Sequence, residues 1–209
     1  MRRRRWSVVA VMVMVAAGVV ACGGDGDDEE PRRALDKTAP PGATVVSDDG
    51  VGFAVAVPSS WKQLPLELSA FDQEADALRA SSDKVGTGLV QLKGAVRSGA
   101  NMAAIDPATG ATVNLIVLEA ASDKFDRTVD QIVDQLRANG ATDLRREEIT
   151  VDGVPGARMQ FRQRLPGETG AVEVDTTQVI VRRRDRDFIL TVSGDTPDAA
   201  TIAGSLELA

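Results

Sequence analysis

Few residues in this chain could do chemistry. It contains no histidine and a single cysteine, Cys22. A Ser-His-Asp relay or a Cys-His pair is therefore impossible, and a zinc site built on Cys and His is excluded on the same count. Ser59-Ser60-Trp61-Lys62 and Ser81-Ser82-Asp83-Lys84 match S-x-x-K, a spacing in which lysine can activate serine. That chemistry also needs S-D-N and K-T-G, and neither occurs. Gly86-Thr87-Gly88 begins like a phosphate-cradling loop but lacks a third glycine and a following Lys-Ser or Lys-Thr. No catalytic residue, metal or cofactor is expected, and the chain is read as a non-enzyme. The one concentrated charge feature is Arg182, Arg183, Arg184 and Arg186, interleaved with Asp185 and Asp187. At a hairpin tip these arginines form a basic spot that could touch anionic headgroups or an acidic partner.

Cys22 belongs to a different kind of chemistry. Arg2 to Arg5 form a positive start, and Trp6 to Val20 follow without a charge. A helix of that run spans roughly 22 Å at ~1.5 Å per residue, short of the ~30 Å hydrocarbon core. A secretory signal fits better than a spanning helix. The run ends Val19-Val20-Ala21-Cys22-Gly23, which resembles the lipobox of bacterial lipoproteins. Val19 and Val20 stand where Leu and Ala or Ser are commoner. The resemblance implies diacylglyceryl transfer to the Cys22 thiol, cleavage between Ala21 and Cys22, and acylation with chains such as palmitate. At about 0.8 kcal/mol per buried methylene, two or three acyl chains anchor durably. The expected address is the extracytoplasmic face of the cell membrane.

Charge narrows the partners. The 209 residues carry 24 basic and 31 acidic side chains. Four of the basic ones lie before Cys22, so the remainder stands at 20 against 31, a net −11. A surface of that sign repels phosphate backbones, and nucleic acid is not an expected partner. Aromatics are 3%, too few for base-stacking platforms. The core must rest on Val, Leu, Ile and Ala.

The chain divides into residues 1–21, a signal; 22–50, the lipidated cysteine and a flexible acidic tether; and 51–209, one domain. Gly23 to Gly42 is rich in Gly, Pro and acid and cannot bury enough surface to offset its ordering entropy. Within the domain, Phe53, Val55 and Val57 alternate as a strand does. Ser69 to Ala80 has a helical face of Phe71, Ala75 and Leu78. Val85, Leu89, Leu92 and Val96 keep helical spacing despite Gly86, Gly88 and Gly94. Asn101 to Ile105 and Thr112 to Glu119 are strands across a turn at Asp106 to Gly110. Lys124 to Asn139 is an amphipathic helix, with Ser122 or Asp123 to cap it and Gly140 to stop it. Asp152-Gly153 predicts a tight hairpin turn. Ala157, Met159 and Phe161 alternate with arginines toward a loop at Pro166 to Gly170. Pairing Arg164 with Glu173 then sets Arg162 opposite Asp175. Phe188, Leu190 and Val192 mark the last strand, and Pro197 to Ser205 a final helix. The fold class is α+β, an antiparallel β-sheet flanked by helices.

The segments Val51 to Trp61, Ser98 to Pro107, Asn114 to Val117 and Ile149 to Arg158, with the long helix, resemble the actinobacterial Lpp-LpqN lipoprotein family, whose domain is of the Mog/PsbP-like type. The likeness covers nearly the whole domain but rests on structural positions. It implies an α/β/α sandwich and a group whose better-known relatives bind other proteins. It hands over no active-site residues. The expected function is that of a membrane-anchored envelope lipoprotein acting as an interaction or accessory module on an envelope protein or component. The second reading is a carrier or sensor for a small apolar ligand or lipid, held between the Ser69–Val96 helical region and the sheet.

Overall fold

Alternation with a period of two builds most of this chain, and the computed structural model shows where each alternating set goes. It describes residues 34–35, 38–120, 122, 124–167 and 170–209; Ala21 and Cys22 lie outside them. The strands are β1 (Ala43–Asp48), β2 (Phe53–Pro58), β3 (Lys62–Gln63), β4 (Ala100–Ile105), β5 (Thr112–Glu119), β6 (Thr142–Val151), β7 (Val154–Gly167), β8 (Gly170–Arg183), β9 (Arg186–Ser193) and β10 (Glu207–Leu208). The helices are α1 (Leu68–Ser81), α2 (Gly86–Arg97), α3 (Phe125–Ala138) and α4 (Ala199–Gly204). Among the described residues, no helix is long and apolar enough to cross a membrane.

The chain is α+β, with antiparallel sheets flanked by helices. Seven strands form the main sheet in the order β3-β4-β5-β9-β8-β7-β6, and β1-β2-β10 form a second, small sheet. The small sheet is an addition to the single sheet expected. Its first strand, Ala43–Asp48, falls inside the stretch expected to be tether, so the fold reaches back to Ala43 rather than starting at Val51. Thr44, Val45 and Val46 are β-branched and pair with Val57, Ala56 and Val55, which suits a pleated, half-buried surface.

One face of the main sheet is apolar and meets the small sheet and α4. Leu115, Leu190 and Val179 lie in one cluster with Phe53, Val55 and Ile202. On the opposite face the helices divide the strands between them. Phe71, Leu78, Leu89 and Leu92 of α1 and α2 close over Ala103 and Ile105. Val133 of α3 packs on Met159, Phe161 and Ile180. Each fully buried Leu or Phe contributes about 1.5–3 kcal/mol. The space between α1–α2 and the sheet, considered for a ligand, holds these side chains.

One glycine of α2 has a packing reason, Gly88. A Cβ there would collide with the Gly110 carbonyl and the Thr112 methyl, so the helix can lie on the β4–β5 turn only if residue 88 is glycine. Within Gly86-Thr87-Gly88 it is therefore Gly88 that packing requires. The Asp152-Gly153 turn has φ of 54° and 79°, the left-handed pair that a two-residue hairpin needs.

Candidate functional site

The four arginines singled out in the sequence do not form one patch. In the β8–β9 hairpin Arg182 pairs with Asp187 and Arg183 with Arg186. Neighbouring residues on a strand face opposite sides, so Arg182 shares the side of Ile180, toward α3, while Arg183 shares that of Val181. The Arg182 Nε and Nη2 donate to the two Asp187 carboxylate oxygens at 2.7 and 2.8 Å. Nη2 also donates to Thr128 Oγ1 at 2.8 Å, and Nη1 to the Ser122 carbonyl. The guanidinium lies 5.7 Å from the centre of the Phe125 ring, within cation–π range. Asp187 is 3% exposed and Arg182 13%. Arg182 is therefore withdrawn from the expected interaction patch. It pins the start of α3 to the sheet, and that explains a buried acid on a strand.

Arg183, Arg184 and Arg186 remain at the tip. They line a cavity of about 130 Å³ with Asp185, Phe188, the Gly50-Val51-Gly52 turn between β1 and β2, and Ala209. Arg183 and Arg186 are opposed across the strand pair. Like charges directly opposite destabilise a hairpin. Arg186 also has Glu119 opposite it on β5, yet the two form no ion pair. Its Nη1 instead donates to the Val51 carbonyl at 3.4 Å, which brings the guanidinium to the cavity. Of the two acids that precede that turn, Asp48 and Asp49, Asp48 is committed: its Oδ1 accepts from the Gly50 and Val51 amides at 2.8 and 3.0 Å. Arg184 sits at φ 56°, the left-handed conformation that a two-residue hairpin turn calls for and that bulky residues rarely adopt.

The other singled-out residues have structural duties. Ser82 caps the turn Asp83–Val85; its hydroxyl accepts from the Lys84 amide and donates to the Pro107 carbonyl at 3.0 Å. Lys62 is paired with Glu74 at 3.0 Å. Neither S-x-x-K stretch presents a free serine–lysine couple: the motif serine Ser81 donates its hydroxyl to the Leu78 carbonyl at 2.9 Å, and Lys62 is held by Glu74. The strands take the register that sets Arg164 opposite Glu173 and Arg162 opposite Asp175, and of the two pairs Arg162 and Asp175 form the ion pair, with Nε donating to Oδ1 at 3.0 Å. The hydrogen bond and then the charge of Asp175 raise the Arg162 pKa above its ordinary value. Ser122 Oγ accepts from the Lys124 amide at 3.2 Å, just ahead of α3.

An uncharged network escaped sequence reading. Gln91 of α2 donates to Ser193 Oγ at 2.7 Å and accepts from Thr112 Oγ1 at 3.2 Å. Ser193 meets Thr176 Oγ1 at 3.1 Å, and Gln163 donates to Thr176 at 3.0 Å. Its trace in the sequence is a single Thr at the start of β5, a Thr pair in β8 and a Ser at the end of β9. Two wider grooves, of about 450 and 510 Å³, run along β6 and β7 and mix acids with arginines. Among the described residues no group of three or more Cys, Asp or Glu could hold a metal ion.

No protein-family model matches the sequence, and comparison with curated proteins finds no match. Solved structures do show likeness in outline. The solution structure of the cyanobacterial PsbP protein (CyanoP) from Synechocystis is 15% identical, with 91% of this chain and 99% of that one covered and a TM-score of 0.49. The crystal structure of LpqN from Mycobacterium tuberculosis, a protein involved in cell envelope biogenesis, is 12% identical, with 78% and 84% covered and a TM-score of 0.39. Each is what this chain is similar to, and the chemistry of the tip rests on its own residues.

Proposed function

We propose that this chain is a lipid-anchored accessory protein of the cell envelope, held on the extracytoplasmic face through Cys22. Its arginine tip docks an acidic group of an envelope component, and the protein is not an enzyme. The observation that carries the docking role is the opposed Arg183–Arg186 pair at a cavity. A strand pair that keeps two unneutralised cations face to face forgoes stability, and a bound anion restores it. The anchor is supported by the charged start, the short apolar run and the small residue before the sole cysteine. The absence of histidine and the structural duties of both S-x-x-K stretches support the non-enzymatic reading.

The test is crosslinking in intact cells, with mass spectrometry of what is attached. Wild type should give a reproducible envelope partner. Arg183→Glu with Arg186→Glu should lose it while circular dichroism shows the fold intact. Cys22→Ala should leave an unprocessed precursor without lipid. A partner captured equally by the charge-reversed protein would exclude the tip, and normal maturation of the Cys22 variant would exclude the anchor.

A further inference from the structure

The geometry points to a phosphate group as the anion that this tip takes; we infer this on the reading that the tip, rather than another surface, is the docking site. Three features separate phosphate from carboxylate. The first is the number of donors. Arg183 and Arg186 lie directly opposite each other, where side chains start about 4.5–5.5 Å apart. A carboxylate offers two coplanar oxygens, and a single arginine fork satisfies both. A phosphate monoester offers three free oxygens and carries about −1.5 to −2 charge. It can engage two forks at once and neutralise both.

The second feature is size. The cavity is about 130 Å³, well below the ~300–1,000 Å³ of pockets that enclose a small molecule. It admits a charged group and leaves the rest of the bearer outside. The third is competition within the protein. Asp185 is the one acid in the cavity wall, where the opposed Arg183 and Arg186 supply two cations. Arg186 passes by the opposed Glu119 and turns to the Val51 carbonyl. Arg183 has no carboxylate partner among the described residues. The site therefore keeps donors for an anion from outside.

The chain joins the fold at Ala43, and the cavity lies beyond Asp48 at the other end of β1. A strand of that length sets the two ends about 20 Å apart. The phosphate could come from a lipid headgroup or from a non-lipid bearer facing away from the anchor, and the recognition chemistry is the same.

The experiment uses the chain from residue 22 onward with Cys22→Ala, so that no acyl chain drives binding. Backbone and arginine side-chain NMR signals are followed during titration with inorganic phosphate and, separately, with acetate. Saturable phosphate shifts are expected at Gly52, Arg183 and Arg186, with acetate about tenfold weaker or more. Arg183→Gln and Arg186→Gln should each weaken phosphate by about tenfold, the loss of a charge-assisted contact. Equal binding of acetate would overturn the phosphate assignment and leave the docking site standing. Shifts that survive both substitutions, or no shifts at all, would overturn phosphate binding at this tip. The crosslinking result decides separately whether the tip docks a partner. A flotation arm identifies the source: capture by vesicles containing phosphatidic acid, but not by phosphatidylcholine alone, assigns a lipid headgroup. Phosphate binding without flotation assigns a non-lipid bearer.

Discussion

Asp187→Asn measures what holds the tip in place. The substitution keeps the shape and one acceptor oxygen but removes the charge opposite Arg182. The pair is deeply set, at 3% and 13% exposure, and its contacts are bidentate at 2.7 and 2.8 Å. Removing one partner of a buried ion pair costs about 3–5 kcal/mol. Arg182 keeps Thr128 Oγ1, the Ser122 carbonyl and the Phe125 face, which places the cost near the lower end, at about 3 kcal/mol. At roughly 2–4 °C per kcal/mol for a domain of this size, the melting temperature should fall by about 6–12 °C. Urea unfolding followed by circular dichroism and by Trp61 fluorescence gives the free energy directly. A second arm replaces the whole pair, Arg182→Met with Asp187→Leu. That protein should lose much less than Asp187→Asn, because an apolar substitute leaves no charge stranded. A loss below about 1 kcal/mol for Asp187→Asn, the scale of an exposed pair, would refute the reasoning. Water would then be solvating the pair, and it would not be what pins α3 to the sheet.

Two further outcomes follow from single residues. Gly88→Ala should destabilise by about 1–3 kcal/mol through overpacking, because its Cβ would meet Thr112 Cγ2 at 2.8 Å and Ile105 Cδ1 at 3.1 Å. Gly94→Ala, where a Cβ meets nothing within 4 Å, should instead stabilise α2 by about 0.5–1 kcal/mol; unfolding curves of opposite shift check the pair. Glu67 caps α1, and its pKa is lowered by the Ser69 hydroxyl, then by the Ala70 and Ser69 amides. A lowered carboxyl stabilises the folded state above its unfolded value and ceases to do so as pH falls through the folded one. Exchange at the Ser69 and Ala70 amides should therefore show excess opening in acid, and Glu67→Gln should remove that pH dependence.

Where the apolar pattern was strong, sequence and structure agree closely. Thr112–Glu119 was read with its observed ends. The long helix was placed within a residue at each end. The β7–β8 register is the one posed from the charges, with Arg164 opposite Glu173, though charge alone does not single it out. Where the pattern was weak, the elements were missed. β6 is Thr-Asp-Leu-Arg-Arg-Glu-Glu-Ile-Thr-Val, nearly all exposed. It is an edge strand, and edge strands carry charge to discourage stray pairing, which erases the apolar alternation that would reveal them. β1 hid in an acidic, glycine-rich neighbourhood and is only half-buried. β10 is two residues long and is defined by its partner β2, which no local signal announces.

The tip shows most clearly what composition alone does not reveal. Arg182 to Arg186 look like one basic cluster, but β-strand alternation divides them by parity. Arg182 points to α3 and is consumed by Asp187. Arg183 points the other way and meets Arg186. The two roles are coupled, because Asp187 adjoins Arg186 and Arg182 adjoins Arg183. The buried pair fixes the last register positions before the turn, so the outer guanidiniums cannot splay apart by slipping the strands. A hairpin end without that pin would separate its like charges and lose the cavity. On this reasoning Asp187→Asn should weaken phosphate at Arg183 and Arg186 although Asp187 points to the opposite face. Normal phosphate affinity in that variant, at a lowered melting temperature, would show the two faces of the hairpin to be independent.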